Sequence, residues 1–326
     1  MDESIEHSDG SPPRDLTGLA PYAEDGLGAG RVSRVDRGLP LVLTESGEVR
    51  VEPATHLVKN SNEAESRAVV GDWVALSLPE GHDMPIIEAI LPRSSSFTRK
   101  DPGETTGEQV LAANVDIVFV VHALSKKANL RRLERELVLA WESGARPVVL
   151  LTKSDLCEED LADVLAQVES ASPGVDIYVT SSVTGGGVDD VFELIGPGVT
   201  ATMLGASGVG KSTLINRLVG SEVQKTKEVR EADGKGRHAT VAREMVPLPG
   251  GGILIDTPGM RALALWDADE GIGSAFPEIM ELAEGCRFRD CAHEDEPGCA
   301  VRAAAESGEP PQRRRESDQC VSAERV

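Results

Sequence analysis

GASGVGKS, residues 205–212, decides how the rest of this chain is read. It matches G-x-x-x-x-G-K-[ST] in full and lies between an apolar run, TATML (200–204), and an amphipathic one, STLINRLV (212–219). That strand–turn–helix setting is the one a phosphate loop requires. Gly205, Gly208 and Gly210 let the backbone N–H groups of the loop, with Ala206, Ser207 and Val209 between them, converge on phosphate oxygens. Lys211 reaches the terminal phosphates, Ser212 can ligate Mg²⁺, and Thr213 opens the helix beside it. A glycine turn of no function is the competing reading, and the complete motif in its complete context speaks against it.

Two further stretches carry the rest of a nucleotide site. DTPG (256–259) ends the apolar run GGILI, about 45 residues after the loop. Asp256 there suits a carboxylate that holds Mg²⁺ through water, and the Gly259 N–H is placed to sense a γ-phosphate. TKSD (152–155) comes before the loop. A carboxylate such as Asp155 accepts two parallel hydrogen bonds from guanine N1–H and its exocyclic amine, which adenine cannot supply. Thr152, Lys153 and Ser154 belong to the same turn, with Lys153 lying along the base or bracing the loop. Ser181 and Ser182, after VDIYVT, can reach the guanine carbonyl edge. The plainer reading of TKSD is an N-capping turn before a helix over 158–169, a role Asp155 can also take. Base-reading segments precede phosphate-reading ones, so the spacing predicts a circularly permuted GTP-binding domain. Such a cut is tolerated because the termini of a compact domain often lie close together.

Composition bounds the remainder. The 326 residues are enough for two or three domains, and there is no apolar run of membrane-spanning length. The start, MDESIEHSDGSPPRD, lacks a basic n-region and an apolar h-region, so a soluble, cytoplasmic protein with a disordered acidic tail over 1–25 is expected. A net charge of −22 argues against nucleic acid for the chain as a whole, though not against a local basic face. Short alternating segments between 26 and 93 predict a small antiparallel β-barrel, and polar, turn-rich residues 94–108 predict a linker or loop. From 109 to 268, apolar strands alternate with amphipathic helices, the pattern of a mostly parallel α/β sheet; REMVPL and GGILIDT read as one further strand pair.

The chain has five cysteines, and three of them fall within 286–299 together with a histidine. Cys286, Cys291, His293 and Cys299 are three thiolates and one imidazole, a standard set for one structural Zn²⁺. Buried cysteines in a small core are the alternative. Residues 269–326 are expected to be a helical zinc-binding domain with a polar tail, in which Cys157 and Cys320 take no part in the metal site.

The stretches QVLAANVDIVFVV (109–121), LRRLERELVLAWESGARPVVLLTKSDL (130–156), TSSVTGGGVDDVFELI (180–195), GASGVGKSTLINRL (205–218), DTPGMR (256–261) and CRFRDCAHEDEPGCAV (286–301) together resemble one family closely. This is the circularly permuted GTPases of small-ribosomal-subunit biogenesis, RsgA/YjeQ-like. The resemblance covers roughly residues 90–305, and GDWV (71–74) resembles the family's OB-fold barrel. It implies a multidomain protein: an OB-fold barrel, a circularly permuted α/β P-loop GTPase domain, and a zinc-binding α-helical domain. It also implies GTP as substrate, Mg²⁺, and hydrolysis stimulated by the small ribosomal subunit and its rRNA during late maturation. The protein is expected to act as a monomer, away from any membrane. By the same resemblance GRHAT (236–240) is the switch segment, with Thr240 sensing Mg²⁺ and the γ-phosphate. The family's Asn-Lys-x-Asp appears here with Thr152 in first place, and the tail PPQRRRESDQCVSAERV (310–326) departs from the family's helical C-terminus.

Catalysis is the least complete part of this reading. Met260 follows DTPG, where a small GTPase carries a water-orienting Gln, and a thioether does not do that work. His238, in the switch segment, is the nearest candidate to position the water, and the resemblance points to the same residue. Its alternative role is an exposed loop histidine that only touches a partner. Candidate RNA contacts are the barrel, Arg99, Lys100, Arg287 and Arg289; Trp73 reads as barrel core. The competing function is a GTP-sensing ribosome-binding factor with negligible turnover. An ATPase or kinase is disfavoured by TKSD.

Overall fold

The computed structural model describes residues 21–22, 26–36, 39–59, 67–100, 108–220, 244–256, 269–288, 291, 293, 296–308, 310 and 312–323. The expected acidic tail over 1–25 lies almost wholly outside them, as do His238, Thr240, Gly259, Met260 and Arg289.

Six strands come first: β1 (Gly28–Asp36), β2 (Leu39–Thr44), β3 (Gly47–Arg50), β4 (Glu52–Pro53), β5 (Trp73–Ser77) and β6 (Ile86–Ile90), with a short helix α1 (Thr55–Lys59) after β4. β1 pairs antiparallel with both β2 and β5, β2 with β3, and β5 with β6. β4 continues the line of β3 past Val51 and pairs parallel with β6. Through the continuity of β3 with β4, the described pairings run around a ring. Its interior is aliphatic: Val32, Val42, Val51, Val74, Leu76 and Ile87 are buried together.

Residues 94–108, expected as a linker or loop, instead contribute a strand within their described part. β7 (Ser96–Lys100) pairs antiparallel with β8 (Glu108–Ala113). The polar composition hid one anchor, Phe97, which is buried in the core beneath the large sheet. One such side chain fixes the register, because a one-residue slip would turn it to solvent.

The α/β part follows as β9 (Ile117–Ala123), α2 (Leu130–Glu142), β10 (Arg146–Thr152), α3 (Leu161–Ala171), β11 (Ile177–Val179), α4 (Val188–Leu194), β12 (Thr200–Leu204), α5 (Lys211–Val219), β13 (Glu244–Pro247) and β14 (Ile253–Asp256). The order across the sheet is β11-β10-β9-β12-β14-β13, parallel except for the β13–β14 pair. Both faces are covered, which is why these strands read as continuous apolar runs and not as alternations. Val118 and Val120 of β9 face one core with Leu133 and Leu137 of α2. Ile117, Phe119 and Val121 face the other with Val191 and Leu214. Helix starts follow local capping chemistry. The Asn129 side chain accepts from the Arg132 N–H, and that of Asp160 accepts from the Ala162 N–H. The helix expected over 158–169 therefore begins at Leu161, and Asp160 caps it, leaving Asp155 for other work.

The barrel joins this sheet along edge strand β13. β1 pairs with β13 at Arg34 and Glu244, so both parts belong to one 12-stranded sheet. Gly71, at φ +94°, lets the turn before β5 press on β8: a Cβ there would lie 2.0 Å from the Ala113 carbonyl oxygen. Arg31 crosses the junction, buried and stacked 5.1 Å from the Trp73 ring centroid. It donates to Gly71 O (3.3 Å), Asn114 O (3.0 Å) and Thr200 Oγ1 (2.8 Å). Burial lowers its pKa to about 10 against the opposing charges of Asp116 and Asp72, so it stays protonated near neutrality. Trp73 is thus core, as expected, and not an exposed stacking surface.

Among the described residues four helices follow: α6 (Asp269–Ala275), α7 (Pro277–Ala283), α8 (Ala300–Ser307) and α9 (Gln312–Ala323). Their small core of Ile272, Ala275, Phe276, Ile279, Cys299, Val301 and Val321 is completed by Val138 of α2. α9 corrects the expectation that residues 310–326 depart from a helical end. Its buried positions are Arg314, Ser317, Asp318 and Val321, so a helical face built mostly of polar residues left no apolar periodicity to read.

Candidate nucleotide site and metal centre

Parallel strands deliver the loops at their carboxyl ends to one edge of the sheet, and that is where the quoted motifs meet. TKSD begins at the last residue of β10, Ser181 and Ser182 follow β11, the phosphate loop follows β12, and Asp256 ends β14. Of Asp256 only the backbone is described.

The phosphate loop requires glycine for a local reason. Gly205 has φ +143°, and a Cβ on it would lie 2.4 Å from the Val121 carbonyl oxygen of β9. Gly210, at φ +108°, is the residue from which α5 starts, so the first-turn N–H groups of this helix face the loop. Lys211 Nζ donates to Gly205 O at 2.6 Å and Ala206 O at 2.9 Å, which draws the ammonium across the loop. Ser207 and Gly208 are exposed at the tip, Ala206, Val209 and Ser212 are half-buried, and Thr213 is exposed.

TKSD is fastened to that loop by two side chains. Thr152, 2% exposed, donates from Oγ1 to Val209 O at 2.5 Å, with His122 O at 3.2 Å as a second acceptor. Lys153 Nζ donates to Gly208 O at 2.7 Å from a left-handed backbone (φ +59°). The turn over Ser154–Leu156 then leaves Asp155 exposed and aimed by Ser181. Buried Ser181 donates to Asp155 Oδ1 at 2.5 Å while its oxygen accepts from the Thr184 N–H at 3.1 Å. Asp155 keeps acceptor capacity for a second group, as a pair of parallel hydrogen bonds requires. Ser181, expected to reach the base, is thus occupied with the carboxylate; Ser182 is half-buried beside it.

A buried ion pair beneath β9 had no sequence signal. His122 Nε2 lies 2.9 Å from Glu136 Oε2, and Arg132 Nε donates to Glu136 Oε1 at 2.8 Å. Burial pushes the Glu136 carboxyl up, but hydrogen bonds and charge from His122 and Arg132 outweigh it and hold it below its ordinary value. Arg132 and Glu136 could have been matched by their i,i+4 spacing; His122 could not.

The ligand atoms of Cys286, Cys291, His293 and Cys299 lie within 4.8 Å of one another. Zinc–sulfur bonds of about 2.3 Å at tetrahedral angles place two sulfurs roughly 3.8 Å apart, and a sulfur and a nitrogen slightly closer. The observed separations are 4.0 Å for Cys286 Sγ to Cys299 Sγ, and 3.7 and 3.5 Å from these sulfurs to His293 Nδ1. The donor set and its spacing fit a tetrahedral zinc ion. Backbone N–H groups point at the sulfurs, Ala300 to Cys286 and Arg302 to Cys299, each at 3.3 Å, as the first turn of α8 favours negative charge. Desolvation raises the Cys286 thiol, but N–H donation from Val301 and Ala300 outweighs it and lowers its pKa. Cys291 is pushed up to about 11, by desolvation first and then by Cys299 and Cys286. Burial lowers His293, favouring the neutral imidazole that ligates. Cys157 and Cys320 are free and lie outside the cluster.

Known proteins share this arrangement. The RsgA GTPase family model matches residues 90–266. Proteins called small ribosomal subunit biogenesis GTPase RsgA from Streptomyces avermitilis and Streptomyces coelicolor are 48% and 47% identical to the chain. The matches cover 92% of it, and 80% and 81% of those proteins. Among solved structures, YjeQ from Thermotoga maritima superposes with a TM-score of 0.69 at 27% identity, over 91% of this chain and 98% of that one. YloQ, described as a circularly permuted GTPase, gives 0.65 at 25% identity, over 91% and 94%. With the phosphate loop, the TKSD turn and their permuted order on one sheet edge, the chain belongs to the RsgA GTPase family and is a GTP hydrolase.

Proposed function

We propose that this GTPase acts in late maturation of the small ribosomal subunit, in the cytoplasm, with GTP hydrolysis stimulated by that subunit and its rRNA. The observation that carries the reading is the 48% identity, over nearly the whole chain, to a protein named for small-subunit biogenesis. Asp155, Thr152, Lys153 and Ser181 read and brace the guanine side. Gly205 to Thr213 hold the phosphates. Ser212, Thr240 and, through water, Asp256 hold Mg²⁺, which neutralises charge on the β- and γ-phosphates. His238 orients the attacking water, Thr240 and Gly259 sense the γ-phosphate, and Lys211 stabilises the transferred group. One zinc ion on Cys286, Cys291, His293 and Cys299 staples a small core too slight to stand alone.

The domains we propose are an OB-fold barrel over 26–93, the GTPase domain over 109–268 with 94–108 joining them, and the zinc-binding domain over 269–326. The aliphatic cluster inside 26–93 and the cluster centred on 272–321, which Val138 of α2 completes, support this division, and the parallel pairing of β4 with β6 supports the OB-fold. RNA contacts are assigned to the barrel, Arg99, Lys100, Arg287 and Arg289. Phe288, 42% exposed with Arg287 5.5 Å from its ring, suits stacking on a base. A chain of net charge −22 with so few basic contacts should show only a shallow salt dependence of subunit binding.

The test is GTP hydrolysis by the purified protein alone and with isolated small subunits, with His238→Ala in parallel. Stimulation by the subunit that disappears in the variant is the expected result. Flat turnover despite measured GTP and subunit binding would remove the stimulated-hydrolase reading and leave a nucleotide-gated binding factor.

A further inference from the structure

Residues 313–315 are three consecutive arginines, the only such run of basic residues in this acidic chain. On an RNA-associated protein a run of this kind reads as a phosphate contact. The structure uses it inward. Arg314, on α9, is 1% exposed. Its Nε donates to Glu278 Oε1 at 2.6 Å, Nη1 to Glu134 Oε1 at 3.1 Å and Ala171 O at 3.2 Å, and Nη2 to Ala275 O at 2.7 Å. The guanidinium also lies 4.6 Å from the Phe276 ring centroid. Arg313 Nη1 donates to the same Glu134 oxygen at 2.8 Å.

These partners come from both sides of one junction. Glu134 and Ala171 belong to α2 and the end of α3, in the nucleotide-binding part. Ala275, Phe276 and Glu278 belong to α6, α7 and the residue between them. Further along the same helix, Ser317 is buried three residues on, and Gln319 Nε2 donates to His293 O at 2.5 Å, within the zinc-ligand loop. One helix therefore ties the metal loop, α6 and α7 to α2.

The apolar part of the junction is Val138 of α2 set among Ile272, Phe276 and Ile279. Apolar contact is non-directional and tolerates sliding and rotation. A guanidinium is planar, and acceptors fixed around it in several directions admit one orientation. The charges also match: Glu134 and Glu278 against Arg313 and Arg314.

We propose that Arg314, with Arg313 and Glu134, is an intramolecular clamp that sets the orientation of the zinc-bearing helices on α2. Arg313 and Arg314 are then not phosphate contacts. Breaking the clamp frees the orientation of this unit while leaving the nucleotide loops, on the carboxyl edge of the sheet, as they are.

The test is a spin-label distance measurement on the full chain purified with zinc. One label is placed at Ala166→Cys, on the exposed face of α3, and one at Glu281→Cys, on the exposed side of α7, in a Cys157→Ser/Cys320→Ser background. The parent should give one narrow distance. Arg314→Met should lose that single narrow peak and give a broad or split distribution, with GDP affinity within about twofold of the parent, well under the tenfold that 1.4 kcal/mol represents. Because Arg314→Met leaves Glu134 buried beside a partly exposed Arg313, it can fail to fold. Glu134→Gln/Arg314→Met removes both charges and carries the same expectation. A single narrow distance in the double variant would overturn the proposal, since apolar packing alone would then set the orientation. An unchanged distance together with a shallower salt dependence of binding to single-stranded RNA would overturn it in favour of a phosphate contact.

Discussion

Thr152→Val removes one hydroxyl and changes little else, so its effect can be worked out from the structure. Thr152 has a single hydroxyl proton, and the shorter contact, 2.5 Å to Val209 O, is the one it serves; His122 O at 3.2 Å is the poorer acceptor. The substitution loses one neutral hydrogen bond between the base-reading turn and the phosphate loop, worth about 0.5–1.5 kcal/mol net. Val209 is only half-buried, so its carbonyl can recover part of this from water, and the full penalty of an orphaned buried group does not apply. The expected cost is about 1 kcal/mol in the nucleotide-binding conformation, a roughly fivefold weaker affinity. Lys153 still holds Gly208 O, which keeps the loss from growing further. Interactions of this kind show mainly in dissociation. Stopped-flow release of a fluorescent GDP analogue should therefore be several-fold faster, with association nearly unchanged. Preference for guanine over adenine should also be unchanged, since Asp155 and Ser181 are untouched. Release within experimental error of the parent would mean that the Thr152–Val209 contact does not couple the two segments. A loss of base selectivity would mean that Thr152 reads the base directly.

Arg31→Met orphans Asn114 O and Thr200 Oγ1, while Gly71 O keeps the Asn114 Nδ2 donor. At about 1–3 kcal/mol per orphaned buried group, less the desolvation no longer needed for the guanidinium, urea unfolding should show a loss of about 2–4 kcal/mol with GDP affinity intact. Glu136 has its folded pKa depressed below 4.5, so its stabilisation is fully present above that value and is lost as pH falls through the folded pKa. Glu136→Gln should accordingly lower stability by about 1–3 kcal/mol at pH 7, by charged hydrogen bonds lost, and the gap to the parent should close on acidification below pH 4.5, read by thermal unfolding at stepped pH.

The sequence shows most clearly what depends on local pattern. GASGVGKS, DTPG, TKSD and the Cys/His spacing are short-range signals, and the strands of the central sheet announce themselves as apolar runs because both faces are covered. Features set by contacts distant along the chain are silent. Phe97 was unreadable as an anchor because one aromatic in SSSFTRKDPGETTG has no period. The helix Gln312–Ala323 was unreadable because the partner of Arg314, Glu134, is 180 residues away. Asp155 was assigned two competing roles, and Asp160, five residues later, resolves them by capping α3 itself. Ser181 was read as reaching the base, and only the fold shows that its hydroxyl donates to Asp155.

The permuted order has a structural consequence that follows from where the rejoining segment lies. The stretch from Thr180 to Val199 links edge strand β11 to central strand β12 through α4, whose Val188 and Val191 are buried against the P-loop side of the sheet. It carries Ser181, which donates to Asp155 of the TKSD turn, and runs directly into the strand that presents the phosphate loop. The support of that turn and the phosphate loop are thereby consecutive in the chain as well as adjacent in space. The cut falls elsewhere. The next described element after β14 is α6, which packs on the outer face of α2, whose inner face lies beneath β9. The loop at the end of β14 is therefore the only one of the nucleotide loops whose next described element belongs to the zinc-bearing helices. A change at that loop has a short covalent route to them, while the barrel meets the same strand end only through backbone pairing, Arg34 of β1 with Glu244 of β13, which lies opposite Asp256.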